Sequence, residues 1–264
     1  MIAPFEAPKL KIERARAHIE ELDATINAYL AGNPCALVVE PFPGPAYMKS
    51  HAWIARIRKP IPLTSSVIIG DAVHNLRTAL DLLICDLARI NSKSYKKVYF
   101  PFCEKPSDLS AVMENMHLPS RCGKDVASAI RLMEPYKGGI TLLRTIHDMD
   151  IADKHQSLIP VLGAMNAPIA KILVAGREFA TPPVSTLVTM DGQIIMGLPP
   201  TQIPLGTELP SRFFLAFGEL SEAPGCRGRV VVEFLHDLAK VADGVIETLA
   251  ALRPGASFPK SAIS

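Results

Sequence analysis

The sequence predicts an α+β fold: a helical bundle joined to an antiparallel β region and closed by a C-terminal helix. Three observations predict it. Long segments near both ends and through the middle carry apolar residues three and four apart, the spacing of one helix face. Short β-branched and aromatic runs bounded by Gly and Pro cluster at 35–58 and 170–234. Met190-Asp191-Gly192-Gln193 puts an Asp-Gly turn between two of those runs, a strong hairpin signal.

Residues 8–31 are the first predicted helix. Ile12, Ala15, Ile19, Leu22, Ile26 and Leu30 make one apolar stripe, and Gly32-Asn33-Pro34 stops it, Gly as a left-handed cap and Pro as a breaker. "CALVVE" and "HAWIARIR" read as two strands of a hairpin around the turn-rich "PFPGPAYMKS". The prolines of "KPIPLTSS" end the second strand, and Thr64, Ser65 or Ser66 is expected to cap a helix over about 66–90. "KVYFPF" is a short extended piece. Residues 107–134 read as one or two helices interrupted near Pro119 and ended by "EPYKGG", and 140–158 as another, stopped by Pro160.

After that point "AKILVAG", "VSTLVTM", "QIIMGL", "RFFLAFGEL" and "RVVVEFL" read as short strands, with "GLPPTQIPLGTELP" a loop. The last helix spans about 233–252, and the tail "ASFPKSAIS" is expected to be loose. The chain thus divides into residues 1–160, mainly helical with a β-hairpin at 35–58, and residues 161–264, an antiparallel β region whose helix at about 233–252 returns to the bundle. The strands of both parts are expected to share one antiparallel sheet.

With 48% hydrophobic and 20% charged residues over 264 positions, the chain has the balance of a globular protein with a sizeable core. A formal net charge of +2 sets up no global field toward nucleic acid or an acidic membrane; only a local basic patch would do so. No apolar run approaches the roughly 20 residues that span a bilayer. The N-terminus has no charged start followed by an apolar stretch, so no signal peptide is expected and a cytoplasmic location is. Cys35, Cys85, Cys103, Cys122 and Cys226 are scattered and form no Cys-x-x-Cys pair, which fits free thiols rather than a disulfide framework or a thiolate zinc site.

Two polar stretches interrupt predicted core helices. In "GDAVHNLRTALDLL" (70–83), Ala72, Val73, Leu76, Leu80, Leu83 and Leu87 fall within about 60° of Leu76 on a helical wheel. His74, Arg77, Thr78, Asp81 and Cys85 form a stripe on the opposite side. In "LRTIHDMDIADKHQ" (143–156), Arg144, His147, Ile151 and His155 share one side, with Lys154 and Asp148 beside them. Asp153 falls on the apolar side near Leu142, Ile146 and Met149. A carboxylate there needs a partner, and Arg77 or His74 is a candidate.

Spacing limits the chemistry. His147 and His155 are about 12 Å apart along a helix and His74 and Asp81 about 10 Å, so neither pair binds one ion directly. His147 with Asp150 does have ligand spacing but needs further ligands from other helices, and no Glu-x-x-His pair is present. No cofactor is expected. There is no Gly-x-Ser-x-Gly elbow, no phosphate-cradling Gly loop and no Gly-x-Gly-x-x-Gly. Cys85 reads as a packed thiol, and Asp237 near the start of the last helix as a dipole partner.

Trp53 in a hairpin strand, "GDAVHNLRTALD", Pro135-Tyr136 and Asp153-Lys154-His155 together resemble a widespread bacterial and phage-associated family, which implies no particular activity. The resemblance covers about 35–160. The chain is also similar to HEPN-type helical domains, bundles of toxin, antiphage and RNA-processing systems. Many of those are metal-independent ribonucleases that use an Arg followed, after four to six intervening residues, by a His. Here Arg144 is followed by His147 after two residues and by His155 after ten, and Arg77 by no His within range.

That resemblance implies an RNA-binding or RNA-cleaving protein of phage defence, with a homodimer seam at the site. Metal-free cleavage needs a base, an acid and a phosphate-binding cation. His74 and His155 would supply the first two, Arg77, Arg144 or Lys154 the third, and Asp81 or Asp153 would orient a histidine. Two alternatives stay open: a non-enzymatic interaction protein whose polar stretches lock two helices together, and a bundle that binds a metal or small ligand through His147, Asp150 and a third group.

Overall fold

The computed structural model describes residues 3–44, 51–155, 158, 160–166, 172–174, 177–179, 185–198, 203–219 and 223–252. The fold is α+β, with seven α-helices and nine strands among those residues. The helices are α1 (Glu6–Ala31), α2 (Thr64–Ile90), α3 (Asp108–Asn115), α4 (Leu118–Cys122), α5 (Lys124–Leu132), α6 (Thr141–His155) and α7 (Val231–Ala251). The strands are β1 (Cys35–Pro41), β2 (His51–Ile57), β3 (Pro160–Asn166), β4 (Ile172–Val174), β5 (Arg177–Phe179), β6 (Ser185–Val188), β7 (Gln193–Leu198), β8 (Glu208–Leu209) and β9 (Ser211–Phe217). The predicted loose tail at 256–264 lies outside the described residues, as do parts of the two predicted loops at 41–50 and 197–210. Among the described residues no helix is long and apolar enough to cross a membrane.

α2 is the central rod. It packs against α1, α6 and α7, and α7 also contacts α1 and α6. The predicted core face of α2 is buried: Ala72, Val73, Leu76, Leu80, Leu83 and Leu87. They meet Ile12, Ile19 and Leu22 of α1 and Phe234, Leu238 and Ile246 of α7 in one continuous core. Burying a side chain of that size contributes roughly 1.5–3 kcal/mol, so the apolar stripes rather than the caps hold the bundle. Neither α1 nor α2 has a side-chain N-cap. The expected Thr64, Ser65 or Ser66 cap is not used, because the helix already starts at Thr64 with Leu63 as its N-cap.

The predicted hairpin is present, with Val39 opposite Trp53. It does not share one sheet with all later strands, contrary to expectation. β7 adds to β2 and β8 to β1, giving the order β7-β2-β1-β8, while β6-β3-β9 and β4-β5 form separate sheets. The Asp-Gly turn is where the chain changes sheet, so the expected β6–β7 hairpin does not form. Gly192 adopts φ 78, which glycine tolerates without cost. Its amide reaches Ala55 O on β2, and Asp191 Oδ1 accepts from Ile57 N. The Gln193 side chain accepts from Thr189 N and donates to Leu187 O, so a side chain takes the place of the ladder β6 would have made.

Three local expectations are corrected. "RVVVEFL" is not a strand: only Val230 bridges to Ala216, and α7 starts at Val231. Buried residues Val231, Phe234, Leu235, Leu238 and Ala239 continue its helical stripe, so tertiary packing overrides the β-propensity of three valines. Gly32 is not left-handed (φ −78); Asn33 takes that conformation at φ 48. β3, β5 and β8 were not expected from the sequence. Breaks at Met116–His117 and at Gly123 divide the predicted 107–134 segment into three helices.

Candidate functional site

The polar stripe of α2 has two neighbours, α6 and a strap at residues 98–104. The strap runs back along the stripe from its C-terminal end. Cys85 Sγ faces Val98 O at 3.5 Å, and Asp81 Oδ1 accepts the Phe100 amide at 2.8 Å. The Arg77 guanidinium lies 4.8 Å over the Phe102 ring. Beyond Phe102 the strap passes to α6. Arg144 donates to Cys103 O and, at 2.6 Å, to Glu104 Oε1.

Arg77 is the hub. Its side chain is only 11% exposed and ion-pairs with Asp81 one helical turn on. Its Nε donates to His147 Nδ1 across the α2–α6 interface at 3.3 Å. His147 stacks on Phe102, centroids 4.8 Å apart and planes 12° from parallel. Burial, with Arg77 and Arg144 adding like charge, pulls the His147 pKa down to about 4. The imidazole is therefore neutral near pH 7 and accepts the Arg77 proton at Nδ1.

Arg144 is the second clasp, buried with its partner Asp148 one turn on, Nε to Oδ1 2.8 Å. Burial raises the Asp148 pKa despite that contact. Glu104 takes Lys137 and Arg144 at 2.6 Å each, and its pKa is lowered, chiefly by the Lys137 hydrogen bond.

A third group is open to solvent. His74 Nδ1 meets Asp150 Oδ1 at 2.9 Å, and Lys154 reaches Asp150 Oδ2 at 2.6 Å. Asp150 is buried, while the His74 side chain is 58% exposed. A carboxylate only accepts, so Nδ1 donates and Nε2 is left beside Thr78 Oγ1 at 3.4 Å.

Of the eight residues singled out, the fold brings His74, Arg77, Asp81, Arg144, His147 and Lys154 to the α2–strap–α6 seam. It does not pair Asp153 with Arg77 or His74 by a hydrogen bond or ion pair. Asp153 packs instead on Gly70, where a Cβ would land on its carboxylate. Its pKa is raised, first by burial and then by Asp150 and Asp71. His155 is exposed at the end of α6, and among the described residues no hydrogen bond, ion pair or ring contact engages it. His74 and His155 therefore do not share one contact set.

Sequence reasoning missed Phe102 as a partner of Arg77 and His147, and Glu104 as a partner of Arg144. The available signal was "KVYFPF": an extended, proline-broken aromatic run beside a helix that lacked a cover for its polar side. Cys85 faces the strap, and burial raises its pKa. All five thiols are free. Among the described residues no three His, Cys, Asp or Glu side chains are placed to hold a metal ion. His147 and Asp150 are already engaged by Arg77 and by His74 with Lys154.

Compared with protein-family models, curated proteins and solved structures, the chain matches none.

Proposed function

We propose that the chain is a non-enzymatic interaction protein and that its two polar stretches form a lock: they clamp the strap between α2 and α6. The observation that carries this reading is the use of the two arginines. Metal-free RNA cleavage needs a cation free to meet a phosphate. Arg77 is spent on Asp81, His147 and Phe102, and Arg144 on Asp148, Glu104 and Cys103 O. Both guanidinium groups are shielded from solvent; Arg144 donates to three acceptors, while Arg77 donates to His147 and holds Asp81 by charge.

One observation favours a second reading, RNA binding or cleavage. An exposed imidazole backed by a buried carboxylate, as in His74 with Asp150, is the form of a general base. In that reading Lys154, half-exposed on the other oxygen of Asp150, would be the phosphate-binding cation.

Wild type, Asp81→Ala and His74→Ala, assayed together for thermal unfolding and for cleavage of a single-stranded RNA, separate the two. The lock predicts no cleavage by wild type, a clear loss of stability for Asp81→Ala and little change for His74→Ala. Cleavage by wild type that vanishes in a stable His74→Ala overturns it.

A further inference from the structure

The loop that leads from α2 into the strap carries a surface the lock does not use. From Leu87 to Cys103 the chain holds Arg89, Lys93, Lys96 and Lys97 and no acidic residue. Lys93, Lys96 and Lys97 are exposed, and among the described residues none of the three ammonium groups is in an ion pair. The bordering carboxylates are engaged inward. Asp86 is buried under Arg89 and the Phe5 amide, and Asp81 is held by Arg77 and the Phe100 amide.

Tyrosines are set among these lysines. Tyr95 and Tyr99 are each 46% exposed. Arg89 covers one part of Tyr95, its guanidinium carbon 4.1 Å from the ring centroid. The loop is also braced from α4: Arg121 Nη1 donates to Lys96 O at 2.9 Å, and Asn91 donates to Arg121 O at 3.1 Å. Ser92 and Lys97 sit at φ 54, a conformation non-glycine residues adopt only where surrounding contacts hold it. The loop thus presents a fixed rather than a floppy array.

We propose that this array, Lys93, Lys96, Lys97, Tyr95 and Tyr99 with Arg89 behind, binds single-stranded nucleic acid. Unpaired lysines meet phosphates and release counterions. Half-exposed aromatic rings stack on unpaired bases, and Arg89 against one part of Tyr95 holds that ring in place. The tyrosines favour this partner over an acidic protein segment, which would use the lysines alone. Binding needs no cleavage chemistry, so the inference does not depend on the lock reading.

The test is fluorescence anisotropy of the full chain with a labelled single-stranded RNA of mixed sequence, across a salt series. The variants are Lys93→Gln/Lys96→Gln/Lys97→Gln, Tyr99→Ala and, as a control on α1, Lys9→Gln, each checked for an unchanged unfolding midpoint. The triple variant is expected to lose most affinity at low salt and to flatten the log-affinity against log-salt slope by about 2 (about 0.7 per phosphate contact). Tyr99→Ala is expected to bind roughly 5- to 100-fold more weakly, and Lys9→Gln like wild type. Absence of binding at low salt overturns the proposal, as does equal binding by the triple variant. Undiminished binding by Tyr99→Ala, with polyglutamate competing as well as RNA, also overturns it and marks a surface for acidic chains.

Discussion

The imidazole of His147 lies flat on the ring of Phe102, and the same imidazole accepts a hydrogen bond from Arg77. One neutral side chain of α6 is thus fixed at once to the strap and to α2. The arrangement requires an uncharged ring, since Arg77 and Arg144 both stand near it.

That requirement gives a pH dependence. His147 has a folded pKa lowered from 6.5 to about 4. The unfolded chain therefore binds its proton first, and the folded state loses stability as pH falls from about 6.5 toward 4. Above 6.5 this group contributes no slope. The loss is expected to be roughly 1–2 kcal/mol once partial exposure of the ring is allowed for. Urea unfolding of wild type and His147→Gln at pH 7 and pH 4.5 checks it: the variant should lose less stability between the two.

Gly70 is placed where Asp153 needs room. At an exposed helix-interior position, Gly→Ala gains about 0.5–1 kcal/mol. Here the added methyl would meet the Asp153 carboxylate, and the cost of overpacking, about 1–3 kcal/mol, wins. Gly70→Ala is expected to unfold more easily than wild type, and Gly70→Ala/Asp153→Ala to recover most of the difference in a thermal melt.

Removing Arg144 strands charges. Arg144→Met leaves buried Asp148 without its ion pair and Cys103 O without its donor. Breaking one side of a buried pair costs about 3–5 kcal/mol. Arg144→Met/Asp148→Leu should restore part of that loss, measured by chemical denaturation.

Asp81 joins α2 to the strap through the Phe100 amide. Asp81→Asn keeps a carbonyl acceptor of similar shape, whereas Asp81→Ala leaves that amide unpaired. The expected order of stability is wild type, then Asn, then Ala, with the alanine variant down by about 1–3 kcal/mol. Amide hydrogen exchange at Phe100 should quicken in the same order.

Helices were legible because α1, α2 and α7 each bury an apolar stripe, which repeats in the sequence as residues like Ile12, Ile19 and Leu22. Sheet membership was not. It turns on which strand Gln193 joins, and a two-residue Asp-Gly signal says only that the chain turns. The candidate site was half legible. A helical wheel put His74, Arg77 and Asp81 on one stripe, and the fold keeps them there. The wheel gives no partners, so the strap with Phe102 and Glu104 was invisible, and Asp153 was matched to a cation when the fold matches it to the missing side chain of Gly70.

The lock is tested most directly by a double-mutant cycle on Arg77 and His147, using Arg77→Met, His147→Gln and the pair, each unfolded in urea at pH 7. Two residues in contact across α2 and α6 are predicted to couple by about 0.5–3 kcal/mol, with both single variants destabilised. Additive effects within about 0.3–0.5 kcal/mol, from single variants that barely change stability, would contradict it.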